Sequence, residues 1–288
     1  MRRLFLGAAL LAVLAIQAPT ASAAPTGEFA KFAKCPLTNA EVDLCVFAES
    51  TSGSFVLGKK TVPLKNPVVL QGGLKSGGDL SVTLPFYAAS DGNTLSKTPQ
   101  PVPGGLTGIT APAWWPSLLR DLFNETINNG FTGVTATVEL AAPASAVKIN
   151  VANAVSQTGT ALSFPVKVKL SNPFLGSNCY IGSNSNPIKI NLTTGTTSPP
   201  PPNTPISGSP GEIGGSAEGN IIFLKGNRLV DNSFAAPGAN GCGGILFSWA
   251  VDPFVESIVG VPSAAGTNTA ILEGSNYLGS KAAAIASE

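Results

Sequence analysis

Apolar and polar residues alternate along several short segments of this chain, and that alternation predicts β-strands. Residues 147–151, 166–170 and 188–192 each alternate branched apolar residues with Lys or Asn. A period of two places the apolar side chains on a core and the polar ones in water. The same alternation recurs at residues 80–84 and 134–140. Further strands are predicted at residues 54–57, 68–71, 220–225 and 244–249.

Strands with one wet face pair as antiparallel sheets, and two such sheets stack around a shared core. The pattern therefore predicts an all-β fold, an antiparallel β-sandwich with one inserted helix and long Pro/Gly-rich loops. A closed barrel of the same strands is the alternative. The composition agrees, because Gly and Pro number 32 and 24 and only 11% of residues are charged. That composition is typical of extracellular β proteins.

The segment PAWWPSLLRDLFNETINNGF, residues 112–131, has the period of an amphipathic helix. Pro116 suits a first helical turn, and Asn129-Gly130 suits a stop. The residues that share the apolar half of the helical projection are Trp115, Leu118, Leu119, Leu122, Phe123 and Ile127. The polar half carries Arg120, Asp121, Asn124 and Glu125. A second candidate helix at residues 251–259 has a weaker pattern.

This helix has three interpretations. It packs its apolar side across an open end of the sandwich, closes an apolar cavity as a lid, or rests on a lipid interface, where Trp side chains are favoured. The last two interpretations make it a binding site for an apolar ligand. The candidate ligand-binding residues are Trp114, Trp115, Leu118, Leu119, Leu122 and Phe123.

Two long segments are rich in turn-forming residues, at 88–116 and at 193–219. The second contains four consecutive prolines, Pro199 to Pro202, which favour an extended polyproline conformation. It is either a linker between domains or a surface loop. We favour the loop, because the segment that follows is too short to hold its own core. Residues 24–288 are therefore predicted to form a single domain.

The first 23 residues have the features of a secretory signal peptide. Arg2 and Arg3 precede the apolar run 4–16, and Ala21-Ser22-Ala23 forms a cleavage site. A twin-arginine export signal is the alternative. No later apolar stretch is long enough to span a bilayer, so we expect a secreted, extracellular protein with no transmembrane segment in its mature chain.

Four cysteines in an exported chain indicate two disulfides. Of the three possible pairings we favour Cys35 with Cys45 and Cys179 with Cys242, because each bridge then closes its own half of the chain. A metal site is disfavoured, since the chain has no histidine and no C-x-x-C spacing.

Charge and residue types exclude several classes of function. The chain has 17 basic and 16 acidic residues, and loss of the signal peptide removes two of the basic ones, Arg2 and Arg3. Near-neutral charge gives a nucleic-acid partner little electrostatic attraction. The predicted strands carry four lysines: Lys148, Lys167, Lys169 and Lys189. They indicate a solvated sheet face, and a basic stripe that binds an acidic polymer is the alternative.

Without histidine, no His-based Ser or Cys nucleophile is possible, and no G-x-S-x-G elbow is present. Calcium loops and phosphate-binding glycine loops are also missing from the sequence, so no cofactor or metal is predicted. Paired carboxylates of the glycosidase type stay open, because sequence spacing does not test them.

Residues 32–74 resemble the opening of a largely uncharacterised group of secreted actinobacterial β-rich proteins. The resemblance rests on Cys35 and Cys45, on GKKTVP at 58–63 and on LQGG at 70–73. It continues at Cys179, at Thr194-Gly195, and from LVDN at 229–232 to Cys242. These motifs belong to the scaffold. Some similar proteins carry an esterase or cholesterol esterase label, which implies a hydrolase activity.

The leading hypothesis is a secreted, non-catalytic binding protein for a lipid, a sterol or another apolar component of the cell envelope. A lipid or sterol ester hydrolase that works without a histidine triad is the first alternative. A structural surface or matrix protein is the second.

Overall fold

The computed structural model describes residues 23–129 and 131–288, without the side chains of residues 127–129. The predicted signal peptide, apart from Ala23, lies outside the described residues. The strands are β1 (Leu44–Leu57), β2 (Lys60–Pro63), β3 (Val68–Leu74), β4 (Leu84–Ala88), β5 (Gln100–Pro101), β6 (Thr135–Leu140), β7 (Lys148–Ile149), β8 (Leu162–Ser171), β9 (Tyr180–Ile181), β10 (Ile188–Leu192), β11 (Glu212–Gly215), β12 (Ile221–Asp231), β13 (Ala239–Asn240) and β14 (Thr269–Ser280). The α-helices are α1 (Ser117–Asn129), α2 (Val151–Ser156), α3 (Gly244–Val259) and α4 (Lys281–Ala286). Short 3₁₀ helices occupy Gly27–Phe32, Gly105–Thr107 and Ala144–Ala146.

The strands form two antiparallel sheets that share one strand. The first sheet has the order β11-β12-β14-β1-β3-β4, with β2 also paired to β1. The second runs β4-β7-β8-β6-β5, and β9 and β10 also pair with β8. Strand β4 pairs with β3 through its second half and with β7 through its first half. The all-β, sandwich-like prediction is therefore confirmed.

Side chains from both sheets fill one core. Val46, Leu70 and Leu272 enter it from the first sheet, and Val166 and Ile190 enter it from the second. Strand β10 has the two faces that its alternating sequence predicted, since its three apolar residues are buried while Lys189 and Asn191 are exposed.

A smaller core lies where the N-terminal 3₁₀ helix meets α4. Phe29, Phe32 and Ala284 are buried there. The Cys35–Cys45 disulfide joins this cluster to β1, and Thr26 donates from its hydroxyl to the Ser287 carbonyl. The C-terminal residues therefore pack as a helix.

The Pro-rich segment 193–219 folds back on the sandwich. Thr193 bridges to Val230, and Ser209 bridges to Arg228. Asn203 donates from its side-chain amide to the carbonyls of Asn232 and Asn268, at 2.9 and 3.0 Å. These contacts attach the segment along β12 and the loop before β14.

Several predicted elements are wrong. Residues 80–83 lie outside any strand, and only 148–149 of the segment 147–151 form one. Strand β14, which lies between β12 and β1, was not predicted. The most important correction concerns residues 244–249, predicted as a strand, which form the first half of helix α3. The second candidate helix, at residues 251–259, is confirmed as the second half of α3, which is a second long helix beside α1.

Candidate functional site

Helix α1 emerges from one end of the sandwich, on the connection between β5 and β6. These strands pair antiparallel, and the pairing continues beyond them, because Val102 and Leu106 donate from their amides to the carbonyls of Val134 and Thr132. Residue Thr135 at the start of β6 pairs with Ser171 at the end of β8. We call this end of the molecule the helical end.

The segment before α1 folds against the helix itself. Asn124 accepts from the Ala111 amide at 3.0 Å, and the Trp115 amide donates to the Pro112 carbonyl at 3.1 Å. The Trp115 ring lies edge-on to Phe123, with ring centroids 5.5 Å apart, and Trp114 lies edge-on to Trp115. These contacts hold the two indoles beside the apolar side of α1.

That apolar side is open to solvent. Trp114 is 82% exposed and Leu118 is 78% exposed, and Leu119 and Leu122 are also exposed. Trp115 and Phe123 are half-buried against each other. We call these six residues the α1 stripe: Trp114, Trp115, Leu118, Leu119, Leu122 and Phe123. The interpretation in which α1 packs its apolar side across the sandwich is therefore wrong.

Two small apolar cavities lie between the sheets in the part of the molecule that the structure describes. The larger one between the sheets has a volume of about 60 Å³ and is lined by apolar side chains such as Phe55, Val138 and Ile188. A second has about 50 Å³, with Leu74 and Leu224 in its wall. Sites for small molecules generally need about 300 Å³ or more, and no residue of the α1 stripe lines either cavity. The lid interpretation has no support in this geometry.

Helix α3 is the second exposed apolar element of the helical end, and sequence reasoning predicted only its second half, at residues 251–259. Its second half is held against the sandwich. Asp252 accepts from the Cys242 amide at 2.7 Å, and Glu256 accepts from the Ala239 amide at 3.0 Å. Val255 is buried. The Cys179–Cys242 disulfide holds the chain just before the helix.

The predicted disulfide pairing is confirmed, because Cys35 is bonded to Cys45 and Cys179 is bonded to Cys242.

The first half of α3 carries four exposed apolar residues, which we call the α3 tip: Ile245, Leu246, Phe247 and Trp249. A signal for it was present in the sequence, because GILFSWAV at 244–251 lacks the polar alternation of a half-buried strand.

An aromatic pair connects the two helices. Phe131, two residues beyond α1, stacks edge-on with Phe174 at 4.4 Å, and both rings are exposed. Asn172 fixes this pair, because its amide donates to the Phe131 carbonyl and its oxygen accepts from the Phe174 amide. Gly243 donates to the Leu175 carbonyl at 2.8 Å, so Phe174 lies close to the start of α3.

Lys60 lies beneath the helical end. Its Nζ donates to the Gly108 carbonyl at 3.4 Å, and burial lowers the pKa of this amine. Lys59 donates from its amide to the Val259 carbonyl at 2.7 Å. The β1–β2 turn thereby supports the end of α3.

Two serine hydroxyls that pair with carboxylates lie outside the α1 stripe and the α3 tip. The hydroxyls of Ser52 and Ser81 donate to Glu273 and Asp79, at 3.1 and 2.7 Å, on exposed surface outside the two cavities. The described residues contain no group of three or more His, Cys, Asp or Glu side chains placed to hold a metal ion.

Of the strand lysines, Lys167 pairs with Glu139 at 4.0 Å, while Lys148 and Lys189 are exposed.

In the part of the chain that the structure describes, none of the helices has the length and apolar character to cross a bilayer. Comparison of the chain with protein-family models, with curated proteins and with solved structures gave no significant match. The family resemblance stays a prediction.

Proposed function

We propose that this chain is a secreted, non-catalytic protein that binds an apolar component of the cell envelope, in the first place a lipid surface. The observation that carries the proposal is the open α1 stripe, with Trp114 and Leu118 about four-fifths exposed. Contiguous exposed apolar surface of this kind is uncommon unless it contacts a partner or a membrane.

The cavity volumes favour a surface contact over an enclosed ligand. An interior space of about 60 Å³ does not admit a sterol or an acyl chain. An amphipathic helix with Trp beside Leu and Phe is suited to the boundary between lipid headgroups and acyl chains, where indole rings are favoured.

Cosedimentation with phosphatidylcholine vesicles, with and without sterol, tests this function. We expect the mature wild-type protein to bind and the double variant Trp114→Ala, Trp115→Ala to bind about tenfold more weakly or worse, because each buried apolar side chain contributes about 1.5–3 kcal/mol. A matched control removes two exposed apolar residues of the first sheet, Ile213→Ala and Ile222→Ala, and should bind like the wild type.

Absence of vesicle binding by the wild type, or equal binding by wild type and Trp variant, contradicts the proposal. Turnover of a sterol ester that is lost with a single Ser or acid substitution would instead favour the hydrolase hypothesis. Self-association without vesicle binding would favour a structural surface protein.

A further inference from the structure

We infer that the α3 tip inserts into a lipid bilayer at the boundary between headgroups and acyl chains, so that the protein docks through two helices rather than one. The inference rests on the proposed function and names the depth and the residues of the contact. It begins from exposure: Ile245 is 99% exposed, Leu246 76% and Phe247 60%.

The direction of these side chains points to an occupant that surrounds the helix. Successive residues of an α-helix point about 100° apart, so Ile245, Leu246 and Phe247 cover about 200° of the circumference. The remaining directions face the protein, where Val251 and Val255 contact the core. A second copy of this chain would cover one side of the tip, whereas fluid acyl chains contact every exposed side at once.

The polar content of the tip also fits an apolar medium. No charged residue lies between Gly244 and Val251. The indole of Trp249 is 79% exposed, yet its Nε1 donates to the Leu246 carbonyl of the same helix at 3.2 Å. Because this donor is already paired, moving the ring out of water leaves no unsatisfied indole N–H, which would otherwise be costly.

The tip is long enough to reach the boundary between headgroups and acyl chains, and its base is held by the rest of the protein. Seven residues, 244–250, extend about 10 Å along a helix, and amphipathic helices bury their apolar side about 5–10 Å into the boundary between headgroups and acyl chains. The Cys179–Cys242 disulfide and the Asp252 contact fix the base of the tip. The tip can therefore enter the bilayer without rearrangement of the sandwich.

The depth of Trp249 is the first test. The variant Trp114→Phe, Trp115→Phe leaves Trp249 as the single Trp of the protein, since the chain has three. With phosphatidylcholine vesicles that carry bromine on their acyl chains, we expect Trp249 fluorescence to be quenched and its emission to shift to the blue. Unchanged fluorescence of vesicle-bound protein overturns the inference.

Substitution of the tip is the second test. Ile245→Ser with Leu246→Ser should weaken vesicle binding about tenfold or more, while the urea midpoint of unfolding stays at the wild-type value because both residues are exposed. The control Ile213→Ser with Ile222→Ser makes the same chemical change on the first sheet and should leave binding unchanged.

The outcomes separate this inference from the proposed function. If the α1 Trp variant loses binding and the tip variant binds like the wild type, the proposed function stands and the α3 inference is wrong. If the wild type binds no vesicles, both are wrong. Self-association that depends on Ile245 and Leu246, without quenching by brominated lipid, identifies a second copy as the occupant and also overturns the inference.

Discussion

At the scale of single residues, the buried polar groups explain how the long loops are held. Asn268 is fully buried, and its oxygen accepts from the Gly58 amide while its amide donates to the Phe234 carbonyl. Asp231 ends β12 in a buried position and accepts from the amides of Asn191 and Ser233, at 2.7 and 2.8 Å. It thereby ties β12 to β10.

The buried carboxyl of Asp231 gives a pH prediction. Burial raises its pKa above 3.8, against the lowering effect of its two amide donors. The folded state then holds the proton more tightly than the unfolded state, so the stability contributed by this group is present below pH 3.8 and is lost as the pH rises through the folded pKa. We expect the unfolding free energy of the wild type, relative to Asp231→Asn, to fall as the pH is raised from about 3 to neutrality.

Urea denaturation at several pH values checks this, and Asp79→Asn is a control of opposite sign. The Ser81 hydroxyl and amide lower the pKa of exposed Asp79, so the difference between wild type and that variant should rise with pH and stay small because of solvent screening. A difference for Asp231→Asn that is flat or rises with pH contradicts the assignment.

At the scale of elements, the sequence predicted those whose environment is simple. Strand β10 and helix α1 were placed within a few residues, because each has one apolar side and one polar side. Strand β14 was missed because most of its residues are half-buried, with neighbouring strands on both edges, and its composition alternates poorly.

The first half of helix α3 was missed for a different reason. It is apolar in every exposed direction, so it shows neither the period of a strand nor that of an amphipathic helix. The candidate site was therefore predicted in part: the α1 stripe was named from the sequence, whereas the α3 tip and the Phe131–Phe174 pair required the structure.

The open position of α1 leads to a prediction about stability. Because Leu118 and Leu122 are exposed, Leu118→Ser with Leu122→Ser should change the unfolding free energy by no more than about 0.5 kcal/mol per site, as for ordinary surface positions. Leu74→Ala, in the core and fully buried, should cost about 2–5 kcal/mol. Chemical denaturation compares the two, and a cost for the α1 variant near that of Leu74→Ala would show that α1 packs on the sandwich.

At the scale of the whole molecule, the outer face of the first sheet and the helical end differ. Where β1 begins, the N-terminal 3₁₀ helix packs on α4 around Phe32, Ala284 and the Cys35–Cys45 bridge, on the outer face of the first sheet. The helical end carries the exposed α1 stripe, the Phe131–Phe174 pair and the α3 tip. Among the described residues, the exposed Trp and Phe side chains therefore concentrate at the helical end.

The charge of the molecule decides what kind of docking this end can support. Without the predicted signal peptide, the 17 basic residues become 15 against 16 acidic ones, so long-range attraction to anionic lipid is weak. Salt screens charge interactions and does not weaken apolar burial. We therefore expect vesicle binding to persist, at equal strength on neutral and anionic vesicles, when the salt concentration is raised about tenfold. Binding that requires anionic lipid and disappears in high salt would instead assign docking to surface lysines such as Lys148 and Lys189.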